Sequence, residues 1–184
     1  MFKKIATLSV LTAAISTSVM ADGVKFLPVT ETTYKPDFAV ALLGGVQKTN
    51  AVDGTGAYGV EVSLKCPLLQ IPSNEIRQQV SLVSTSSNGL STTSLELNPH
   101  VMFNVAPQLH VGVGPNLGLV YATAHSDNKV AFGIGAGASI SYDIAPKYFV
   151  GAETRYQWTN HPSLGGTDVN LDNSRTLLKV GMHF

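Results

Sequence analysis

Two sets of side chains in this chain are typed and spaced for chemistry. His161 and Ser163, separated only by Pro162, set an imidazole two residues from a hydroxyl. That is the pairing in which a general base activates a nucleophile for ester cleavage, with a carboxylate to orient the base. The nearby carboxylates, Asp168 and Asp172, fall in a polar, turn-rich stretch and are poorly suited to that task. His-Pro-Ser is also an ordinary loop tripeptide, so no residue is assigned a catalytic role. The second set is Glu61, Lys65, Arg77, Glu96, Glu153, Arg155, Arg175 and Lys179. Within it, Glu61 and Lys65, Glu153 and Arg155, and Arg175 and Lys179 are two or four residues apart, and at that spacing an extended strand points side chains to one face. These charges read as a network inside something built of strands.

The strands themselves are legible. At the C-terminus Leu178, Val180, Met182 and Phe184 alternate with Lys179, Gly181 and His183. An apolar face opposite a polar one suits a strand with lipid outside and a polar lumen inside. Upstream, seven more runs alternate in the same way, over residues 37–48, 57–68, 75–83, 92–105, 108–122, 129–144 and 147–159, with 174–184 as the eighth. Each meets or comes close to the roughly 9 to 11 residues that a tilted strand needs to cross a bilayer. No window keeps a helical period.

Strand parity sharpens this reading, because a lipid-facing Arg or Lys costs about 2 to 4 kcal/mol at mid-bilayer. With Val60, Val62, Leu64, Leu95, Leu97, Leu117, Leu119, Phe132 and Ile134 outward, all eight charges of the network face inward or sit at strand ends. Outward aromatic residues fall in two groups. Phe38, Phe103, Tyr142, Tyr148 and Phe184 lie near short turns, and Tyr58, Tyr121, Phe132, Tyr156 and Trp158 near longer loops, as in the aromatic girdles of membrane barrels.

Asn104-Val-Ala-Pro107 and Asp143-Ile-Ala-Pro146 are near-repeats that read as tight turns, and 71–74 as a third. Residues 49–56, 84–91, 123–128 and 160–173 read as looser polar loops. Pro99 and Pro115 fall inside strands, where each removes a ladder hydrogen bond, so a bulge or gap is expected there. The third run is the least regular, with Gln78 on its apolar face.

Residues 1–21, with Lys3 and Lys4 ahead of an apolar stretch and small residues at its end, read as a cleaved secretory signal. Without it the formal charge falls from zero to minus two. No basic stripe suggests nucleic acid as a partner. Cys66 is the only cysteine, so no internal disulfide can form, and no Cys or His spacing suggests a metal or another cofactor.

Arg155-Tyr-Gln-Trp-Thr-Asn160, then a polar loop, Asp172-Asn173 and the terminal strand, resemble the seventh strand, last loop and eighth strand of the OmpA transmembrane domain. That resemblance implies a barrel without the family's usual peptidoglycan-binding domain, and a terminal Phe184 that serves the barrel-assembly machinery. His161-Pro162-Ser163, with Gly165, Gly166 and Asn170, loosely resembles a rim motif of lipid A deacylase barrels, although Arg175 stands where the likeness implies a carboxylate.

The expected molecule is therefore an all-β, eight-stranded antiparallel up-and-down transmembrane β-barrel over residues 37–184, following a 22–36 extension. It is expected to be a monomer in the cell outer membrane, in contact with outer-membrane lipids and lipopolysaccharide, with neither cofactor nor enzymatic activity. Eight strands enclose a lumen that side chains fill, so a structural envelope role without an open pore is expected. The alternative is surface recognition or adhesion through the exposed loops, and behind it stand a lipid A deacylase-like enzyme or a narrow channel.

Overall fold

The computed structural model describes residues 23–50, 54–87, 89–124, 127–164 and 167–184, so the expected leader over 1–21 lies outside the described residues. Eight long strands form the molecule: β1 (Ala39–Thr49), β2 (Thr55–Lys65), β3 (Glu75–Ser87), β4 (Leu90–Ala106), β5 (Leu109–Ala124), β6 (Asp127–Ala145), β7 (Tyr148–Thr159) and β8 (Asn173–His183). Each pairs antiparallel with its neighbour in sequence, and β8 closes the barrel on β1, with Thr176 opposite Val46 and Val180 opposite Leu42. Closure leaves no unpaired sheet edge, which a lipid environment does not tolerate.

Alternation sorts the side chains. Leu42, Val60, Leu82, Leu95, Leu119, Ile134, Ile140, Leu178 and Val180 are exposed on the outside. Gln47, Glu61, Gln79, Ser81, Glu96, Asn98, Asn116, Gln157 and Lys179 are buried inside. This is an inverted globular protein, polar within and apolar without. The ten aromatic residues of both groups are exposed. The interior is not uniformly polar, however. Leu43, Ala57, Val83 and Leu177 form one buried apolar cluster, and Leu171 inserts from the last loop against Val120, Ala122 and Ala131. The last loop thus tucks part of itself into the barrel instead of being wholly displayed.

Several boundaries differ from those read in the sequence. Residues 84–91 are mostly strand, not loop, because hydroxyls pair across β3 and β4: Ser84 with Thr93 at 3.0 Å, Thr85 with Thr92 at 2.8 Å and Ser86 with Ser91 at 2.9 Å. Gly89, at φ 76, supplies the left-handed residue that reverses the chain there. Most of 123–128 is likewise strand, with β5 running to Ala124 and β6 beginning at Asp127. Pro99 and Pro115 cause no bulge. Register is the same on both sides of them, Leu97 opposite Leu117 and Val101 opposite Val113, and only the ladder between is interrupted. The irregularities fall at the two near-repeats instead, between Asn104 and Ala106 and between Asp143 and Ala145. In each case the residue ahead of Ala-Pro drops out of the ladder as the chain enters its turn. Gln78 keeps the register of β3, and its Nε2 donates to the Gln79 carbonyl at 3.1 Å.

β2 ends at Lys65, not near Leu68. Beyond it Gln70 takes the place of a neighbouring strand: its Nε2 donates to the Ile76 carbonyl at 2.8 Å, and its Oε1 accepts the Ile76 N–H at 3.1 Å. One carboxamide thus supplies the acceptor for the Ile76 N–H and adds a second donor to a carbonyl that the Cys66 N–H already reaches at 2.7 Å. The segment preceding the barrel adds to this connection, with Lys25 opposite Gln70 and Phe26 opposite Leu69 in a two-residue sheet. A single 3-10 turn, Pro28–Thr30, follows. Tyr34 Oη then donates to the Lys65 carbonyl at 2.5 Å, and Lys65 N to the Pro36 carbonyl at 2.6 Å. Burial, with Cys66 and Glu75 nearby, raises the Tyr34 phenol above its ordinary pKa and keeps it a donor.

Candidate functional site

The barrel interior is where the chain concentrates its chemistry. Small inward residues on β6 make room for it. A Cβ on Gly137 would lie 2.8 Å from Arg155 Cγ, and one on Gly133 would lie 2.5 Å from Gln157 Cδ. The long side chains of β7 lie across the space that these glycines leave open.

Six of the eight charges predicted for the lumen meet in one layer. Arg155 Nη2 lies 2.6 Å from Glu153 Oε2 and 3.3 Å from Glu61 Oε2, while its Nη1 lies 3.2 Å from Glu96 Oε2. Lys179 Nζ bridges Glu61 at 2.7 Å and Glu153 at 2.5 Å. Arg175 Nη2 donates to Glu96. Three carboxylates therefore face three cations, and none of the six side chains is more than 4% exposed. Some atoms remain unpaired among the described residues, including Glu96 Oε1, Glu153 Oε1 and Arg175 Nη1. A buried network of this kind gains little net stability from its presence, but loses much when one charge is removed and its partners are left behind.

The neutral members of the layer were not singled out from the sequence as partners. Ser81 Oγ and Gln79 Oε1 accept from Arg155 at 3.1 and 3.2 Å. An amide relay runs from Asn173 Nδ2 to Gln157 Oε1, from Gln157 Nε2 to Asn116 Oδ1, and from Asn116 Nδ2 to Glu96 Oε2. Inward parity was their available signal.

Lys65 and Arg77 do not join this layer, contrary to the grouping of all eight. They lie at the turn end, where Lys65 and Arg77 face each other across β2 and β3. Their partners are local: Lys65 Nζ to Glu75 at 3.3 Å, and Arg77 Nη1 to both Asp37 and Glu75 at 3.0 Å. Parity assigns a face but not a height along the barrel. Also at the turn end, Asp143 receives His110 Nε2 at 3.1 Å and His183 Nε2 at 3.3 Å. Asp37, Glu75, Arg77, His110, Asp143 and His183 line a cavity of about 410 Å³ whose inner wall includes Glu61 and Lys179.

At the opposite rim, His161 Nε2 lies 3.7 Å from Asp172 Oδ1. That oxygen is already held by the Thr159 N–H at 2.7 Å. A nucleophile-activating histidine needs its carboxylate on Nδ1 and its serine at Nε2. Here the carboxylate is on Nε2, and no hydrogen bond joins His161 to Ser163 among the described residues. Gly165 and Gly166 lie outside the described residues. Phe184 closes the C-terminal strand, its N–H donating to the Phe38 carbonyl at 2.9 Å, with its side chain exposed.

A closed antiparallel eight-strand barrel, apolar outside and polar within, has the fold of the small outer-membrane barrels. The solved structures agree. Neisserial surface protein A matches with a TM-score of 0.54 at 14% identity, over 79% of this chain and 95% of that one. Outer membrane protein H of P. aeruginosa matches with a TM-score of 0.54 at 19% identity, over 80% and 99%. Ail, the attachment invasion locus protein of Yersinia pestis, matches with a TM-score of 0.52 at 9% identity, over 80% and 97%. At these identities the likeness is one of fold. No family model and no curated protein matches the chain.

Proposed function

We propose that this chain is a small OmpA-like barrel of the Gram-negative cell outer membrane, exported by the 1–21 signal, that acts as a closed structural element of the envelope. The observation that carries this reading is the pairing of a continuous apolar exterior with a lumen crossed by a charge-balanced layer of buried side chains. Lipid solvates the first, and the second leaves no wide aqueous path. The short turns then face the periplasm and the hydroxyl-rich β3–β4 hairpin and the last loop face outward. Its partners are outer-membrane lipids, lipopolysaccharide and, through Phe184, the barrel-assembly machinery. It works as a monomer and neither binds nucleic acid nor catalyses a reaction.

A second reading, surface recognition or adhesion through the loops, draws support from the likeness to Ail, described as an attachment invasion locus protein. A deacylase role is disfavoured by the reversed His161 geometry.

The test is fractionation combined with lipid analysis. The chain is expected with outer membranes, to migrate differently on gels when boiled and unboiled, and to leave lipid A mass unchanged on overexpression. Recovery in the soluble periplasm would overturn the barrel reading, and loss of an acyl chain from lipid A would replace the scaffold with an enzyme.

A further inference from the structure

The segment ahead of the barrel does not simply trail from it. Val24 and Leu69 pack against Cys66, Ile71 and Ile76, with Val101 beside them. Ile76 and Val101 are directly opposed residues of β3 and β4. They share the outer face with Val80, Leu82, Leu95, Leu97 and Phe103, so this packing takes place on the outside of the barrel wall. Directly opposed residues of a sheet lie on one face, and alternate residues return to it. Phe26, opposite Leu69 and two residues from Val24, is therefore on the wall-side face of the two-residue sheet. Lys25 and Gln70 are on the other.

The result is amphipathic. Phe26 is 77% exposed on the wall-side face, and just beyond the two-residue sheet Leu68 is 61% exposed, with Leu27 and Val29 also exposed. The backbone ties these residues together, Leu27 N–H to the Leu68 carbonyl at 2.9 Å and Val29 N–H to the Pro67 carbonyl at 3.4 Å. On the other side Lys25, Glu31, Lys35, Lys65 and Glu75 line a polar cavity of about 470 Å³ at the turn-end mouth. An exposed apolar cluster continuous with a lipid-facing wall has an evident neighbour.

We propose that Phe26, Leu27, Val29 and Leu68 form an interfacial foot, resting at the boundary between phospholipid headgroups and acyl chains in the leaflet at the turn end. The proposal rests on the membrane-barrel reading. Its physical basis is that of an interfacial amphipathic element, with apolar side chains sunk shallowly and charged groups kept in water. The foot continues the turn-end aromatic belt, since Phe103 lies two residues beyond Val101 on the same face of β4.

Tryptophan fluorescence separates the two claims. The chain has one native tryptophan, Trp158, on the outer face at the loop end. Phe26→Trp in a Trp158→Phe background would be folded into phosphatidylcholine vesicles brominated either near the top of the acyl chain or near its terminus. Expected is a blue-shifted emission that loses most of its intensity to the shallow bromines and less to the deep ones. Leu68→Trp in the same background should behave alike and serves if the first variant does not fold. Water-like emission, unquenched by either lipid while wild-type Trp158 is quenched, would overturn the foot and leave the barrel intact. If Trp158 itself is unquenched in the folded protein, the barrel reading fails and the foot with it.

Discussion

Arg155→Met is expected to lower the unfolding free energy of the barrel by about 3 to 5 kcal/mol, the usual consequence of removing one member of a buried charge network. Arg155 reaches Glu61, Glu96 and Glu153, so its loss leaves three buried carboxylates facing only Lys179 and Arg175. The methionine fills similar volume, which isolates the charge from the packing. Adding Glu153→Gln should then recover part of the loss. In the double variant Glu61 keeps Lys179 and Glu96 keeps Arg175, and the layer is balanced again. Urea unfolding in lipid vesicles would measure all four corners of the cycle. Strictly additive losses would mean that lumen water, not pairing, solvates these charges.

Leu178→Arg should cost about 2 to 4 kcal/mol, the price of an arginine facing lipid near the midplane. Leu178 is 65% exposed and stands opposite Ala152, midway between the interfacial Tyr148 and Tyr156. The adjacent Lys179 points inward to Glu61, so the two faces of one strand differ in what they tolerate. Ser86→Arg, on the exposed end of the β3–β4 hairpin beyond Tyr58, should cost no more than about 1 kcal/mol, because the penalty fades at the interface. A soluble barrel would show no such dependence on depth, and equal effects at the two sites would contradict the lipid-facing exterior.

Much of this architecture was readable because lipid and lumen impose a period of two on every strand. Leu178 and Lys179 declare their faces without reference to anything else. Ser84, Thr85, Ser86 and Ser91 misled for a physical reason: hydroxyl residues read as turn chemistry in isolation, yet opposed across two strands they bond to each other or to Thr92 and Thr93. Height along the barrel was equally hidden. It depends on strand tilt and stagger, which no single strand encodes, so Lys65 and Arg77 could not be separated from Arg155 and Lys179 beforehand. The buried Leu43, Val83 and Leu177 escaped because a lumen is expected to be polar, although inward parity marked their positions. Gln70 gave no signal at all. Its role, ending a ladder with a side-chain amide, exists only once β2 and β3 are side by side.

Ion conduction would show whether the lumen is closed by its own side chains. The folded protein would be placed in planar bilayers after a boiled and unboiled gel comparison has verified folding, with current recorded at steady voltage. A flat baseline is expected, because Arg155, Arg175 and Lys179 are all engaged by Glu61, Glu96 and Glu153 across the lumen. Discrete current steps of reproducible size, scaling in number with the protein added, would contradict it.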